Sequence, residues 1–357
     1  MVKKENIPML TSIRLYWAIS IMLCHICLTY RADFNFGKFI FLSHGGFGVA
    51  QFVILSGFLM CMHYTDRYKE KPSLRDGIKF AANHAKKWYL LHLITMVPWM
   101  ISFAILYYFR HSLISELQLI IKVILNIFLV QSWIPEQEFS VNGVAWYLSC
   151  AVAIYLVAPF VFYLNQKIKK NRLICSVFLI ACIIAVFVIQ DLFAVLYCHP
   201  FLRIFQFEAG VLLYNLIGDI KAKNNIFFCI MAFIFDVFAY VVLIPNVTNI
   251  VDSCAAIVLI STFYSYRDTD FLSSQCEQRM GNLSLELFLF HYPIIVIGGE
   301  GFCRFLPHNG ALMIVEMIFL FVLSFVAAIV WEKYISRTKV VMKWNERISD
   351  TFDRIAG

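Results

Sequence analysis

The chain has 357 residues, of which 61% are hydrophobic, 17% aromatic and only 15% charged. Soluble domains are about half apolar and about a quarter charged, so this composition excludes an ordinary soluble protein and predicts an all-α polytopic membrane protein. The net charge of +7 does not call for a nucleic acid, because basic loops on the cytoplasmic side of a membrane protein account for it.

Eleven apolar runs follow one another along the chain, each long enough to be a candidate for crossing a bilayer. They lie near residues 10–30, 39–64, 88–109, 117–133, 146–165, 173–191, 199–217, 225–244, 251–266, 284–300 and 311–331. The first run has no obvious cleavage site, so we expect a mature first helix rather than a signal peptide. We expect one integral membrane domain over residues 1–331 and a cytoplasmic C-terminal tail over 332–357.

Basic residues indicate which of these runs cross the membrane. If all eleven crossed, the basic loops 66–87 and 165–172 would lie on opposite sides, against the positive-inside rule. If 117–133 instead enters and returns as a re-entrant segment, about ten transmembrane helices remain and both termini are cytoplasmic. This arrangement places 23 of the 30 lysines and arginines on the cytoplasmic side. Run 117–133 also carries Lys122 and Asn126, which suit a segment buried in protein.

The first run contains two ionisable residues at membrane depth, Arg14 and His25. Eleven helical residues place them within about 20° of each other around the axis and about 16 Å apart along it. Ionisable groups at such depth are functional candidates. The structural alternative is that His25 bonds a neighbouring carbonyl and Arg14 reaches the interface. Cys24 and Cys27 flank His25 without metal or haem spacing, so we interpret them as packing residues.

Later runs carry further candidates. In the second run, "GGFGVAQFVILSGFLM" (45–60) contains small residues that either permit close helix approach or belong to a site. His84, Lys86 and Lys87 form a basic cluster that fits either the positive-inside rule or an anion site for phosphates. Arg203 and Glu208 differ by about 140° around a helix, so they need not pair with each other.

These stretches together resemble the acyltransferase-3 family of bacterial integral-membrane O-acyltransferases. The resemblance rests on six features in family order. They are Arg14-x10-His25, "GV-x5-LSGFL" (48–59), the basic start of the third run, "W-x-L-S-x5-Y-x3-P" (146–159), Arg203-x6-Gly210 and "HYP" at His291. Two departures stand out. The family's R-x-x-R pair is His84-x-x-Lys87 here, and its glutamates after Ser149 are Ala151 and Val152, which removes a possible partner for His25.

The resemblance implies transfer of an acyl group, with acetyl favoured, from acyl-CoA to a hydroxyl of a cell-surface polysaccharide or lipid-linked sugar at the inner (plasma) membrane. His25 would be the catalytic base or acyl acceptor, since histidine titrates near neutral pH. Arg14, His84, Lys86 and Lys87 would bind the donor phosphates. The resemblance assigns to the crevice or acceptor side Ser56, Trp146, Ser149, Tyr155, Arg203, Glu208 and His291. We expect no metal and no resident cofactor, with acetyl-CoA as substrate.

Two other classes of protein remain open. A transporter or flippase could use intramembrane Arg, His and Glu residues as a proton or substrate pathway. It would move its substrate without CoA and would usually show an inverted repeat, which we do not find. A receptor-like or structural bundle would leave Arg14 and His25 replaceable. The sequence does not identify the acceptor sugar.

Overall fold

The computed structural model describes residues 7–30, 44–110, 113–192, 197–242, 248–305 and 310–357. Every regular element in these ranges is a helix. The α-helices are α1 Pro8–Thr29, α2 Gly45–Tyr64, α3 Leu74–Ala85, α4 Tyr89–Arg110, α5 Leu113–Ile127, α6 Trp146–Ile168, α7 Arg172–Leu192, α8 Pro200–Ile217, α9 Ile226–Val241, α10 Thr248–Ser265, α11 Gln275–Asn282, α12 Ser284–Phe305, α13 Gly310–Lys333 and α14 Lys339–Ala356.

All eleven apolar runs contain a helix, so the all-α prediction is confirmed for the described residues. Among the described residues, six helices have the length and composition to cross a membrane, namely Pro8–Thr29, Gly45–Arg67, Trp146–Ile168, Arg172–Ile189, Ser284–Phe302 and Ala311–Arg337. Counting α3 and α4, which are bent by 61° at a short break, as one broken span brings the number to seven. Residues 39–43 of the second run and 243–244 of run 225–244 lie outside the described residues. The chain is therefore a helical, polytopic bundle, and the count of ten remains a prediction.

Run 117–133 is only partly helical. Helix α5 ends at Ile127, and the chain continues to Ala145 mainly as turns, with a short 3₁₀ helix at Gln131–Trp133. Side chains satisfy this irregular backbone: Gln131 Nε2 donates to the Ala145 carbonyl at 3.1 Å, and Ser132 Oγ to the Trp146 carbonyl at 2.8 Å. Such bonds let irregular backbone sit inside a membrane protein.

Helix α2 is central to the bundle and packs most closely against α8. A Cβ at Gly57 would overlap the Phe207 carbonyl oxygen, and one at Gly210 would overlap the Ile54 carbonyl oxygen. The two backbones therefore touch where each helix has a glycine. This contact confirms, for Gly57, the interpretation that small residues of the second run permit close helix approach.

Helix α14, in the segment predicted as a tail, packs against α3 and α4. The Phe352 ring lies edge-on to Tyr89 with centroids 5.2 Å apart. Asp353 Oδ1 accepts a hydrogen bond from Lys86 Nζ at 2.7 Å. The tail is thus held against the basic cluster at the start of α4.

Candidate active site

His25 on α1 meets His291 on α12. His25 Nδ1 lies 2.9 Å from His291 Nε2, within hydrogen-bond distance, and the ring centroids are 5.0 Å apart. His291 is fully buried, whereas His25 is partly exposed. The partner that the missing glutamates might have supplied is therefore a second histidine, 266 residues along the chain.

The backbone around His291 indicates where the protons lie. His291 Nδ1 is 3.0 Å from the Leu287 carbonyl, which can only accept, so Nδ1 carries hydrogen. In neutral His291 the lone pair is then on Nε2, which accepts from the Nδ1–H of His25. This assignment leaves the lone pair of neutral His25 on Nε2. In this assignment Nε2 is the nitrogen of His25 that can act as a base or nucleophile.

A cavity of about 190 Å³ adjoins His25, and we call it the outer cavity. Its lining includes Cys24, Gly45, Gly46, Phe139, Val144, Trp146 and Tyr197. Tyr292 flanks His25 edge-on, with ring centroids 4.9 Å apart, and Trp99 lies 5.7 Å beyond it. The surroundings of His25 are thus largely aromatic and apolar.

A second cavity of about 210 Å³ is lined by Arg14, and we call it the inner cavity. Ser56, Trp88, Tyr155 and Ser284 also line it. Arg14 Nη2 donates to Asn282 Oδ1 at 2.9 Å, and its Nε to the Thr11 carbonyl at 3.3 Å. The guanidinium is therefore positioned by neutral acceptors at the wall of the cavity.

The basic cluster lies near the inner cavity without lining it. The His84 ring is 4.9 Å from Tyr155, a lining residue, and stacks on Phe80 at 4.2 Å. Lys87 is exposed. The hydrogen bond from Lys86 holds the pKa of the Asp353 carboxyl below its usual range, so this ion pair persists at neutral pH. The carboxylate partner of this pair loses its charge as the pH falls through that lowered pKa.

Arg203 lies behind the outer cavity and is 1% exposed. Its guanidinium lies over the rings of Trp146 and Tyr197, with Cζ 5.0 and 4.7 Å from their centroids. It donates to Gln206 Oε1 at 2.7 Å and to the Tyr197 carbonyl at 2.8 Å. Arg203 therefore supports two aromatic walls of the cavity rather than lining it.

Glu208 and Ser149 line neither cavity. Glu208 Oε1 accepts from Asn165 Nδ2 at 2.7 Å, and Asn165 Oδ1 accepts from Asn215 Nδ2 at 3.0 Å, which ties α6 to α8. Ser149 is fully buried on α6. Arg203 and Glu208 thus have different partners, as the helical angle between them predicts.

Tyr292 and Tyr197 lie at the site although neither was predicted from the sequence, and Asn142 supports the segment that carries His291. Tyr292 belongs to the "HYP" stretch, so its position beside His291 was a usable signal. Asn142 is fully buried in the loop before α6 and donates to the Leu289 carbonyl at 3.2 Å. Its contact joins segments too distant in sequence for a local pattern to reveal.

Cys24 and Cys27 are buried, and neither is part of a disulfide in the described part of the chain. Among the described residues, no group of three or more His, Cys, Asp or Glu side chains is arranged to hold a metal ion.

The chain belongs to the acyltransferase-3 family, whose model, described as an acyltransferase domain, matches residues 10–332. The acyltransferase MdmB of Streptomyces mycarofaciens is 30% identical to it over 173 residues, which are 47% of this chain and 42% of that protein. The match thus spans less than half of that relative. No solved structure matches the chain. Family and relative support a transferase of acyl groups, and the family together with the apolar helices indicates a membrane protein.

Proposed function

We propose that the protein transfers an acetyl group from acetyl-CoA to a hydroxyl of a cell-surface polysaccharide or lipid-linked sugar. The observation that carries the proposal is the His25–His291 pair at one cavity, with Arg14 at the adjoining one. Acyl transfer needs a base near neutral pKa and a means of holding a charged donor. The two cavities divide these tasks between them.

The donor enters at the inner cavity in this proposal. CoA carries several negative charges on its phosphates, and Arg14 offers the cation that lines the cavity. Lys87, Lys86 and His84 add positive charge or hydrogen-bond donors near the mouth. The pantetheine arm is long enough to cover the roughly 16 Å along α1 from Arg14 to His25. The thioester is thereby carried toward the histidine pair.

His25 Nε2 is the reacting atom. As a base, it takes the acceptor's hydroxyl proton while the oxygen attacks the thioester carbonyl, and it returns that proton to the departing thiolate. As a nucleophile, it attacks the carbonyl itself, the C–S bond breaks, and an acyl-imidazole forms before the acceptor arrives. In both routes His291 Nε2 is placed to accept the proton of His25 Nδ1 as positive charge develops on the ring.

The proposed location is the plasma (inner) membrane, with ten spans, both termini cytoplasmic and α5 re-entrant. The charge distribution supports this arrangement through the positive-inside rule. The hydrogen-bonded loop between α5 and α6 supports it further, since irregular backbone at membrane depth must be satisfied by protein. On this topology the donor entrance faces the cytoplasm.

Acetylation of the surface glycan in strains that carry His25→Ala or Arg14→Ala tests the proposal. We expect His25→Ala to lose acetylation, because the reacting nitrogen is gone. In membranes, Arg14→Ala is expected to raise the KM for acetyl-CoA about 10- to 100-fold, as loss of a charge-assisted phosphate contact predicts. Cys27→Ala, a buried change on the same helix, is the control at matched protein level. Normal acetylation by His25→Ala contradicts the assignment.

Transport is the second candidate, and one observation favours it. His44 Nε2 and Asp252 Oδ2 are 3.1 Å apart and buried, and Asp236 accepts from Trp17 and Gln51 nearby in the bundle. Buried ionisable groups of this kind occur in proton pathways. Transport would persist in vesicles without CoA, whereas acyl transfer stops when the thioester is withheld.

A further inference from the structure

The inner and outer cavities share three lining residues, Ile21, Val49 and Phe288. These side chains come from α1, α2 and α12, and their exposures are 2%, 4% and 6%. Each contacts the inner cavity on one side and the outer cavity on the other. These three hydrocarbon side chains lie between the cavity of Arg14 and the cavity of His25, and we call them the partition.

The register of α1 places Ile21 on the route between the two functional residues. Ile21 follows Arg14 by seven residues and precedes His25 by four, so all three lie on one face of the helix. Along the axis Ile21 is about 10 Å from Arg14 and about 6 Å from His25. A group that moves from the inner cavity to His25 passes its side chain.

Neighbouring groups hold the partition in place. A Cβ at Gly48 would come within 2.8 Å of Ile21 Cγ1, so this glycine provides the space that Ile21 occupies. The Phe288 ring packs edge-on against Tyr147 at 5.6 Å and lies 5.9 Å from His291. Phe288 thus lies between Tyr147, which lines the inner cavity, and His291 of the histidine pair.

We propose that Ile21, Val49 and Phe288 form a gate that selects the acyl group by size, admitting short acyl thioesters to His25 and excluding longer ones. The inference rests on the proposed acyl transfer. The apolar gate suits an uncharged acyl end, since passing a charged group through hydrocarbon is costly. The CoA phosphates stay at Arg14 while the acyl end passes between the three side chains.

Acyl-chain selectivity tests the gate. In membranes, kcat/KM is measured with acetyl-, butyryl- and hexanoyl-CoA for Phe288→Ala, Ile21→Val and the wild type. The hexanoyl to acetyl ratio should rise about tenfold or more in Phe288→Ala, the scale at which hydrophobic pockets discriminate added methylenes. Ile21→Val, a smaller change that preserves folding, should raise the butyryl to acetyl ratio.

Leu55→Ala is the matched control, because Leu55 is buried, lines the inner cavity and does not contact the outer one. Its ratios should equal those of the wild type. Unchanged ratios in both gate variants, or the same increase in Leu55→Ala, would overturn the gate.

A second measurement does not depend on catalysis. Cys24 lines the outer cavity, so its modification reports passage through the partition. Inside-out vesicles are treated with the impermeant reagent 2-(trimethylammonium)ethyl methanethiosulfonate, and labelling of Cys24 is followed by peptide mass spectrometry. Phe288→Ala should label faster than the wild type and Leu55→Ala should not. Equal labelling rates of Cys24 in the wild type, Phe288→Ala and Leu55→Ala would overturn the gate. If the protein shows no acyl transfer but Cys24 still labels faster in Phe288→Ala, the proposed function is refuted and the barrier between the cavities remains supported.

Discussion

At His25, a carbonyl on another helix determines which nitrogen can react. The Leu287 carbonyl accepts a hydrogen bond from the Nδ1–H of His291, and His291 Nε2 in turn accepts one from His25. A carboxylate in this position would add a charge at membrane depth, which costs free energy unless it is compensated. A neutral histidine orients His25 without that charge.

Replacing His291 by glutamine should therefore lower kcat much more than it changes the KM for acetyl-CoA. We expect kcat to fall about 10²- to 10³-fold, within the range that positioned acid–base groups contribute. Glutamine cannot relay a proton, although its carbonyl can still accept from His25. Steady-state kinetics in membranes with both substrates varied provide the measurement.

His63→Gln is the control for that variant. His63 Nδ1 also pairs with a carbonyl four residues earlier, Leu59 at 2.6 Å, but it lines neither cavity. Its kinetics should match the wild type. A His291→Gln protein with wild-type kcat would show that His291 does not take a proton from His25 during the reaction.

Part of this site follows from sequence and part does not. Helical periodicity alone predicts that Arg14 and His25 share a face at two depths, and the cavities on that face agree with it. The contact with His291 joins α1 to α12, and no local pattern specifies such a pairing. The same holds for Arg203, whose aromatic neighbours Trp146 and Tyr197 come from separate segments.

At the scale of helices, the contact between α2 and α8 depends on Gly57 and Gly210. An alanine at either position would force its Cβ into the carbonyl of the opposing helix. We expect each substitution to destabilise the protein by about 1–3 kcal/mol, as overpacking does, or by more if the helices separate. Thermal unfolding in detergent would show the loss as a lower midpoint.

Gly301→Ala on α12 is the matched control, since a Cβ there meets no atom within 4 Å. Alanine is the better helix former, so this variant should be as stable as the wild type or slightly more stable. Equal midpoints for Gly57→Ala, Gly210→Ala and Gly301→Ala would mean that α2 and α8 can separate at no cost.

Hydropathy identified the eleven apolar helices because each presents a long apolar stretch to lipid or core. It missed α3, α11 and α14, whose polar faces offset their apolar ones in any average. The first turns of α3 and α11 nevertheless carry a sequence signal. Ser73 with Asp76, and Ser274 with Glu277, form capping boxes at the first turns of α3 and α11.

At the scale of the whole molecule, the ten-span topology makes a prediction about sidedness. If α5 is re-entrant, Lys71 and Lys170 lie on the same, cytoplasmic side. Lys71→Cys and Lys170→Cys proteins should then both react with an impermeant maleimide in inside-out vesicles and be protected in intact cells. Peptide mass spectrometry separates these sites from the native thiols.

Labelling of Lys71→Cys and Lys170→Cys from opposite sides would mean that 117–133 crosses the membrane. An odd number of membrane spans would then separate the two loops, and the termini would face different compartments. Cys276, which is exposed in the native chain, supplies an internal reference for the second half of the bundle.

The position of α14 also affects the choice of affinity tag for kinetic assays. An affinity tag fused to Gly357 is attached one residue after the end of α14 and four residues after Asp353, the partner of Lys86. A charged tag such as polyhistidine or FLAG would therefore lie beside the proposed CoA entrance. Its charge would change the apparent affinity for acyl-CoA independently of any substitution under test. Kinetic comparisons are cleanest with a tag that is cleaved off before assay.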